Sequence, residues 1–373
     1  MKRRISTAAL FLIFALVLSS CSVITTSNIP SSQEVSDFGA YKHYFSALSE
    51  NGKRAYNAIL AEIESFPERI EVPQLSDGEL EQVWLAVMYD NPELIMLGRE
   101  CVLTSEGRRF YFGCEYAITK NEYQTRKAEL QARLDEIMPK ITELESEFDR
   151  ELFIHDTLVN TCEYVSAEDM MHSTAYGVLV KGSASCEGYA KAAKLLLDKA
   201  GIENYLICGT ASREDGTSEG HMWNIVCLGG EKYNLDLTWD DPIGEDEIEN
   251  RRYAYFNVTD EDILKTHTFE GTAPGCTATA ENYFVKQGRK FDAYNADTRS
   301  AISECFKNLS SGDKTEISFT NEKAYSAAID GLFKNEEIYR LLSVADAGKG
   351  SFSTTQINYI ADDEHYIIEF IVI

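Results

Sequence analysis

Two adjacent glycines, Gly229-Gly230, stand between two strand-like runs, Gly220 to Leu228 and Tyr233 to Pro242. A two-residue turn between antiparallel strands needs positive φ at both positions, which glycine adopts without steric cost. The pattern therefore predicts a tight hairpin. With the glycines as the turn, His221 faces Thr238 and Trp223 faces Asp236. His221 and Asp236 then share one face as diagonal neighbours, about 7–8 Å apart at Cα. A four-residue loop would keep that parity, and an odd slip would turn Asp236 to the other face. Ahead of the hairpin, Tyr189, Ala192, Ala193, Leu196, Leu197 and Ala200 recur at helical spacing, and Gly201 suits the position after the helix. Ser185 or Ser183 is placed to cap its start. A helix laid on antiparallel strands makes the expected class α+β.

The 373 residues exceed what one compact domain usually needs, and 44% hydrophobic residues supply ample core. The net charge of −26 excludes the basic face that nucleic acid requires, so no nucleic-acid partner is expected. No repeat of fixed period is present, which excludes a solenoid. Three folded parts are expected. Residues 37–145 read helix, helix, hairpin, helix, with a capping box at Ser76-Asp77-Gly78-Glu79 and a hairpin from Cys101 to Ile118 around Glu106-Gly107. Residues 146–285 hold the candidate chemistry. Residues 286–373 form a small α+β domain that ends in two strand-like runs, Ser353 to Ile360 and His365 to Ile373.

The first twenty residues read as an address. Lys2, Arg3 and Arg4 precede an apolar run from Ala8 to Leu18, too short for a bilayer span of about 20 residues but suited to a secretory leader. Leu18-Ser19-Ser20-Cys21 resembles a bacterial lipobox, in which the Cys21 sulfur is lipidated and becomes the new N-terminus. Residues 1–20 are then a signal peptide and 21–36 a flexible tether. The expected location is extracytoplasmic, anchored to the bacterial membrane by lipid. Loss of the three basic residues moves the net charge from −26 to −29.

Cys101, Cys114, Cys162, Cys186, Cys208, Cys227, Cys276 and Cys305 remain. Their density is low and several lie in apolar runs, as buried free thiols do. Cys101 and Cys114 flank the first hairpin and are placed to pair. No C-x-x-C occurs and the six histidines are scattered, so no metal or cofactor is expected. The acids around Asp240, Asp241, Glu245, Asp246, Glu247 and Glu249 lack EF-hand spacing and read as a solvated loop.

Cys186 opens the predicted helix. There the unpaired N–H groups and the helix dipole favour a thiolate, and the same groups can hold an oxyanion. His221 stands at the mouth of a strand after a polar loop, Ala211 to Gly220. With Asp236 on the same face, the three have the logic of nucleophilic catalysis: Cys186 attacks a carbonyl, His221 moves the proton, and Asp236 orients the imidazole. His155-Asp156 looks like a second dyad, but neighbours on a helix point apart, which favours a structural role.

Around these residues the chain resembles the transglutaminase-like superfamily, whose core is papain-like. The resemblance rests on C-E-G-Y-A-K-A from Cys186, G-H-M-W-N-I-V from Gly220 and Y-N-L-D-L-T-W-D-D-P from Tyr233, with Ile154-His155-Asp156 and Tyr176-Gly177-Val178-Leu179 upstream. It implies Cys186 as nucleophile, His221 as base and Asp236 as orienting acid, in a thiol enzyme acting on amide bonds of proteins or peptides. The outcome is hydrolysis, as by a peptidase or amidase, or acyl transfer to an amine. Two departures matter. No Trp precedes Cys186 within the core, and Val180 stands where papain-like proteases carry a Gln, so the oxyanion side chain is unassigned. Trp223, Trp239 and Tyr176 are candidates for binding substrate. The alternative is a non-catalytic binding lipoprotein that keeps the fold as a scaffold.

Overall fold

The computed structural model describes residues 3–6, 41–166, 169–212, 216–241, 253–271 and 275–373. The apolar run Ala8–Leu18, Cys21 and the tether lie outside the described residues, as does the acidic stretch from Glu245 to Glu249. Arg3–Ser6 form a strand antiparallel to Glu100–Leu103. The described chain divides into two compact units, residues 1–210 with 219–228, and residues 211–218 with 229–373.

Among the helices of the first unit, Asp77–Tyr89 starts at the capping box expected from the sequence. Ser49 caps Glu50–Glu62, and Ser76 forms a full capping box with Glu79 at the head of Asp77–Tyr89. The hairpin follows as Leu97–Glu106 and Arg109–Tyr116, with Gly107 at positive φ in its turn. Cys101 and Cys114 face each other directly across it. Both are free thiols, and burial pushes each up to about 12. Thr119 caps a second capping-box helix, Lys120–Thr142, and Ser146 caps Glu147–Thr161. The Cys186 helix runs Cys186–Lys199, and every residue of its predicted apolar face is buried. Trp84, Tyr56, Tyr123, Phe112, Tyr189, Tyr205 and Trp223 supply the largest buried side chains of this unit.

The strands Asn204–Ser212 and Ser218–Leu228 extend into the segment expected as a polar loop, so the loop after Ala211 is shorter than its composition implies. Gly229 and Gly230 have φ of 58° and 86°, as the predicted two-residue turn requires.

The second unit contains Glu231–Leu235 and a one-turn helix, Leu237–Asp240. Asn234 bridges to Val258. Its C-terminal part is an α+β layer. Lys290–Phe291 runs parallel to Lys314–Phe319, which pairs antiparallel with Ile367–Val372. The last strand also pairs with Ile357–Asp362, giving the expected terminal hairpin. Helices Ala296–Phe306, Glu322–Ile329 and Glu337–Asp346 cover a core that includes Phe306, Ile317, Leu342 and Phe370. Among the described residues, no helix is long and apolar enough to cross a membrane.

Candidate active site

Cys186 is the first residue of its helix and half-buried. Ser185 holds the capping position with extended backbone but does not cap the helix. Its hydroxyl lies 3.3 Å from Ser173 Oγ and 3.4 Å from the His172 carbonyl oxygen, which also accepts the Ser185 N–H at 3.0 Å. The expected serine cap is therefore replaced by contacts to the preceding 3₁₀ turn, Met170–Ser173. That turn presses so closely on the helix that a Cβ on Gly188 would stand 2.2 Å from the His172 oxygen. Glycine in C-E-G-Y is thus demanded by packing. The absent serine cap keeps the first-turn donors beside the sulfur from being taken up by that hydroxyl.

Glu187 points into an ionic cluster, accepting from Arg99 at 3.1 Å and Lys191 at 2.8 Å. Burial works to raise its carboxyl, but Lys191 and Arg99 outweigh that and hold it below the usual range. These residues, with Tyr89, Ser173 and Thr174, line a small cavity of about 40 Å³ next to the first turn of the Cys186 helix.

His221 lies on the strand Ser218–Leu228 and is 7% exposed. Its ring stacks 6.1 Å from that of Trp223. Within the first unit this strand is tied to the Cys186 helix. Asn224 Nδ2 donates to the Ala190 carbonyl at 3.0 Å, and Met222 packs with Ala190 and Leu206. The strand bearing the candidate base therefore docks on the helix bearing the candidate nucleophile, one turn beyond the sulfur.

Asp236 differs from expectation in its local structure. The strand ends at Leu235, and Asp236 instead caps Leu237–Asp240. Its Oδ1 accepts from the N–H groups of Thr238 at 2.9 Å and Trp239 at 3.3 Å. Its Oδ2 lies 3.0 Å from Nε2 of His267, whose Nδ1 is 2.7 Å from Thr266 Oγ1. Asp236 and His267 are 0% and 1% exposed. Nothing in the spacing around Lys265-Thr266-His267 marks this histidine, and only the fold brings it 31 positions back to Asp236.

The other candidates are placed as follows. Trp223 is wholly buried in the core, whereas Trp239 is half-buried and packs its ring against Tyr255 and His267. The Tyr176 hydroxyl donates to Glu129. Asp240, expected on a solvated loop, is buried and accepts the Tyr255 N–H at 2.9 Å. His155 and Asp156, expected to point apart, meet at 3.0 Å, with the histidine buried.

Residues 135–237 match the model of the Transglutaminase-like superfamily, a span that holds Cys186, His221 and Asp236. The chain therefore carries a transglutaminase-like domain, and its fold is α+β of that papain-like kind. Three solved structures show similarity. A candidate cysteine protease from Cytophaga hutchinsonii shares 18% identity over 30% of this chain and 37% of its own, with a TM-score of 0.24. A structure described as a TGase shares 14% over 48% of this chain and 52% of its own, at 0.28. A candidate protease from Parabacteroides distasonis shares 11% over 73% of this chain and 60% of its own, at 0.25. The chain thus spans less than two thirds of each of these proteins. No curated protein matches it.

Proposed function

We propose that this chain is a thiol enzyme acting on amide bonds of proteins or peptides, with Cys186 as nucleophile, His221 as general base and acid, and Asp236 as the group that orients His221. The observation that carries the reading is the docking of the His221 strand on the Cys186 helix through Asn224 and Ala190, inside the span that matches the transglutaminase-like model. Cys186 Sγ attacks the amide carbonyl carbon, and the tetrahedral oxyanion is met by N–H groups of the helix start. As the C–N bond breaks, His221 passes its proton to the leaving amine. Water or a second amine then attacks the thioester, His221 takes the proton, and the thiolate is released. Lipidation at Cys21 belongs to the same proposal and rests on the leader-like N-terminus; it places the enzyme outside the cytoplasm on the membrane surface.

Iodoacetamide labelling near neutral pH, read thiol by thiol, tests the chemistry without knowledge of the substrate. Cys186 is expected to alkylate about tenfold faster than the other thiols, and His221→Ala to remove that advantage. Equal rates across all thiols would favour the scaffold reading. Radiolabelled palmitate tests the anchor: a Cys21→Ala protein that still takes up label overturns it.

A further inference from the structure

We propose that Ser173 is a positioning residue for Cys186: it holds the hydroxyl of Ser185 off the first turn of the Cys186 helix and so leaves that turn's N–H groups to the sulfur. The inference rests on the reading of Cys186 above and adds a residue that none of the sequence motifs contains.

Ser49, Ser76, Thr119, Ser146 and Thr259 each precede a helix with extended backbone, and each side chain accepts the N–H three residues on. Ser185 shares the residue type, the position and the extended backbone, with φ −88° and ψ 175°, yet makes no such bond. Among the described residues, every other serine or threonine at a helix start caps it. The exception is the helix that bears the candidate nucleophile. Its cause is a competing set of contacts. The Ser185 hydroxyl lies 3.3 Å from Ser173 Oγ and 3.4 Å from the His172 carbonyl oxygen, and that carbonyl is already engaged by the Ser185 N–H at 3.0 Å. Arg99 Nη2 donates to Ser173 Oγ at 3.2 Å. A guanidinium only donates, so Ser173 is left to give its own hydrogen to Ser185, whose hydrogen then goes to the His172 carbonyl. Ser173 and Ser185 are 1% and 4% exposed, so bulk water does not compete for either hydroxyl. The same Arg99 Nη2 donates to Glu187 at 3.1 Å. The chain of bonds therefore begins at the residue after Cys186 and ends at the residue before it. Released from Ser173, the Ser185 oxygen would turn to the Gly188 N–H, as at the other five helices, and take up a donor that the position offers a thiolate. A helix start built for stability alone would keep the cap that those five keep.

The test is the pH–rate profile of Cys186 alkylation by iodoacetamide in the full chain, for the wild type and three variants. Ser173→Ala should slow the reaction at neutral pH about fivefold, the size of one capping bond, and move the profile to higher pH. Ser185→Ala should react at the wild-type rate or faster, because the competing hydroxyl is gone. The double variant, Ser173→Ala with Ser185→Ala, should return to within about twofold of the wild type, whereas two structural losses would add. A folded Ser173→Ala protein on the wild-type profile overturns the proposal, and so does a double variant as slow as Ser173→Ala or slower. If Ser173→Ala does not fold by circular dichroism, Ser185→Ala decides: a profile at the wild-type position or at lower pH supports the role, and one at higher pH overturns it. Failure of the underlying reading is seen separately, in the wild type and His221→Ala alone. Were Cys186 no faster than its fellow thiols there, the candidate nucleophile and this proposal would fall together.

Discussion

Asp90 and Asp236 make an instructive pair. Both carboxylates are wholly buried, and each caps a one-turn helix, His43–Ser46 for Asp90 and Leu237–Asp240 for Asp236. Asp90 uses both oxygens on backbone, accepting the Phe45 N–H at 2.7 Å through Oδ2 and the Tyr44 N–H at 3.2 Å through Oδ1, from residues more than forty positions away. Asp236 caps its own following turn through Oδ1, and its Oδ2 meets a side chain, His267. The surroundings differ as well. Asp90 sits with Lys42, whose Nζ donates to the Asp90 carbonyl at 2.6 Å and to Asn91 at 3.0 Å. Burial lowers the Lys42 amine from its ordinary value. The first unit thus uses its buried carboxylate as a staple between distant segments, with cations close by. The second sets Asp236 on two N–H groups of its own turn and on a histidine ring.

The largest expected effect on reactivity comes from Asp236→Asn. The amide oxygen can stay on the two backbone N–H groups, and the amide nitrogen then faces His267. The imidazole can answer by moving its proton to Nδ1, accepting at Nε2 and donating to Thr266. Stability should therefore change by less than about 1.5 kcal/mol, while Cys186 alkylation at neutral pH falls by about tenfold or more, because an amide presents the wrong group to His221. Urea denaturation and the alkylation rate measured on one preparation check both halves. A large loss of stability with unchanged alkylation would place Asp236 with Asp90, as a structural cap.

Lys194 offers the opposite result. It lies on the Cys186 helix and is 0% exposed. Its Nζ donates to both Asp198 oxygens at 3.0 and 3.2 Å, and to the carbonyls of Tyr41 and Asn204 at 3.3 Å each. Lys194→Met fits the volume but strands Asp198, whose carboxyl burial already raises despite this lysine. A loss of about 3 kcal/mol is expected in urea, partly recovered when Asp198→Asn is added. Once folded, the Lys194→Met protein should alkylate at the wild-type rate, since the lysine serves packing only.

What could be read in advance follows the range of each interaction. The capping box at Ser76, the apolar stripe of the Cys186 helix and the Gly229-Gly230 turn depend on neighbours within four residues, and their chemistry is visible in one window of sequence. Ser185 was expected to cap because its type and position suit it, yet the turn around His172 competes for its hydroxyl. Asp236 was expected on a strand because alternation continues through Leu235-Asp236-Leu237, but its side chain captures two N–H groups ahead of it and starts a helical turn. His267 and the Asp90–Lys42 staple join positions 31 and 48 apart, and no periodicity carries such pairings.

The two carboxylates also separate by pH. Burial raises Asp90 to about 6 from an ordinary 3.8, outweighing the Phe45 and Tyr44 N–H groups and the nearby Lys194 and Lys42. The folded protein therefore holds this proton more tightly than the unfolded chain does. Between about pH 4 and pH 6 the native state binds more protons at this position, so the stability it contributes is present at low pH and lost as pH rises. Asp90→Asn does not titrate. The wild type minus Asp90→Asn difference in unfolding free energy should accordingly fall, by the order of 2 kcal/mol, from pH 4 to pH 7. Urea unfolding at four or five pH values reads that slope directly, whatever the fixed cost of exchanging an oxygen for an NH₂ group. If the difference instead grew with pH, the lysines would be shown to win over burial, Asp90 would be a stabilised anion like any paired surface carboxylate, and the contrast with Asp236 would rest on hydrogen-bond geometry alone.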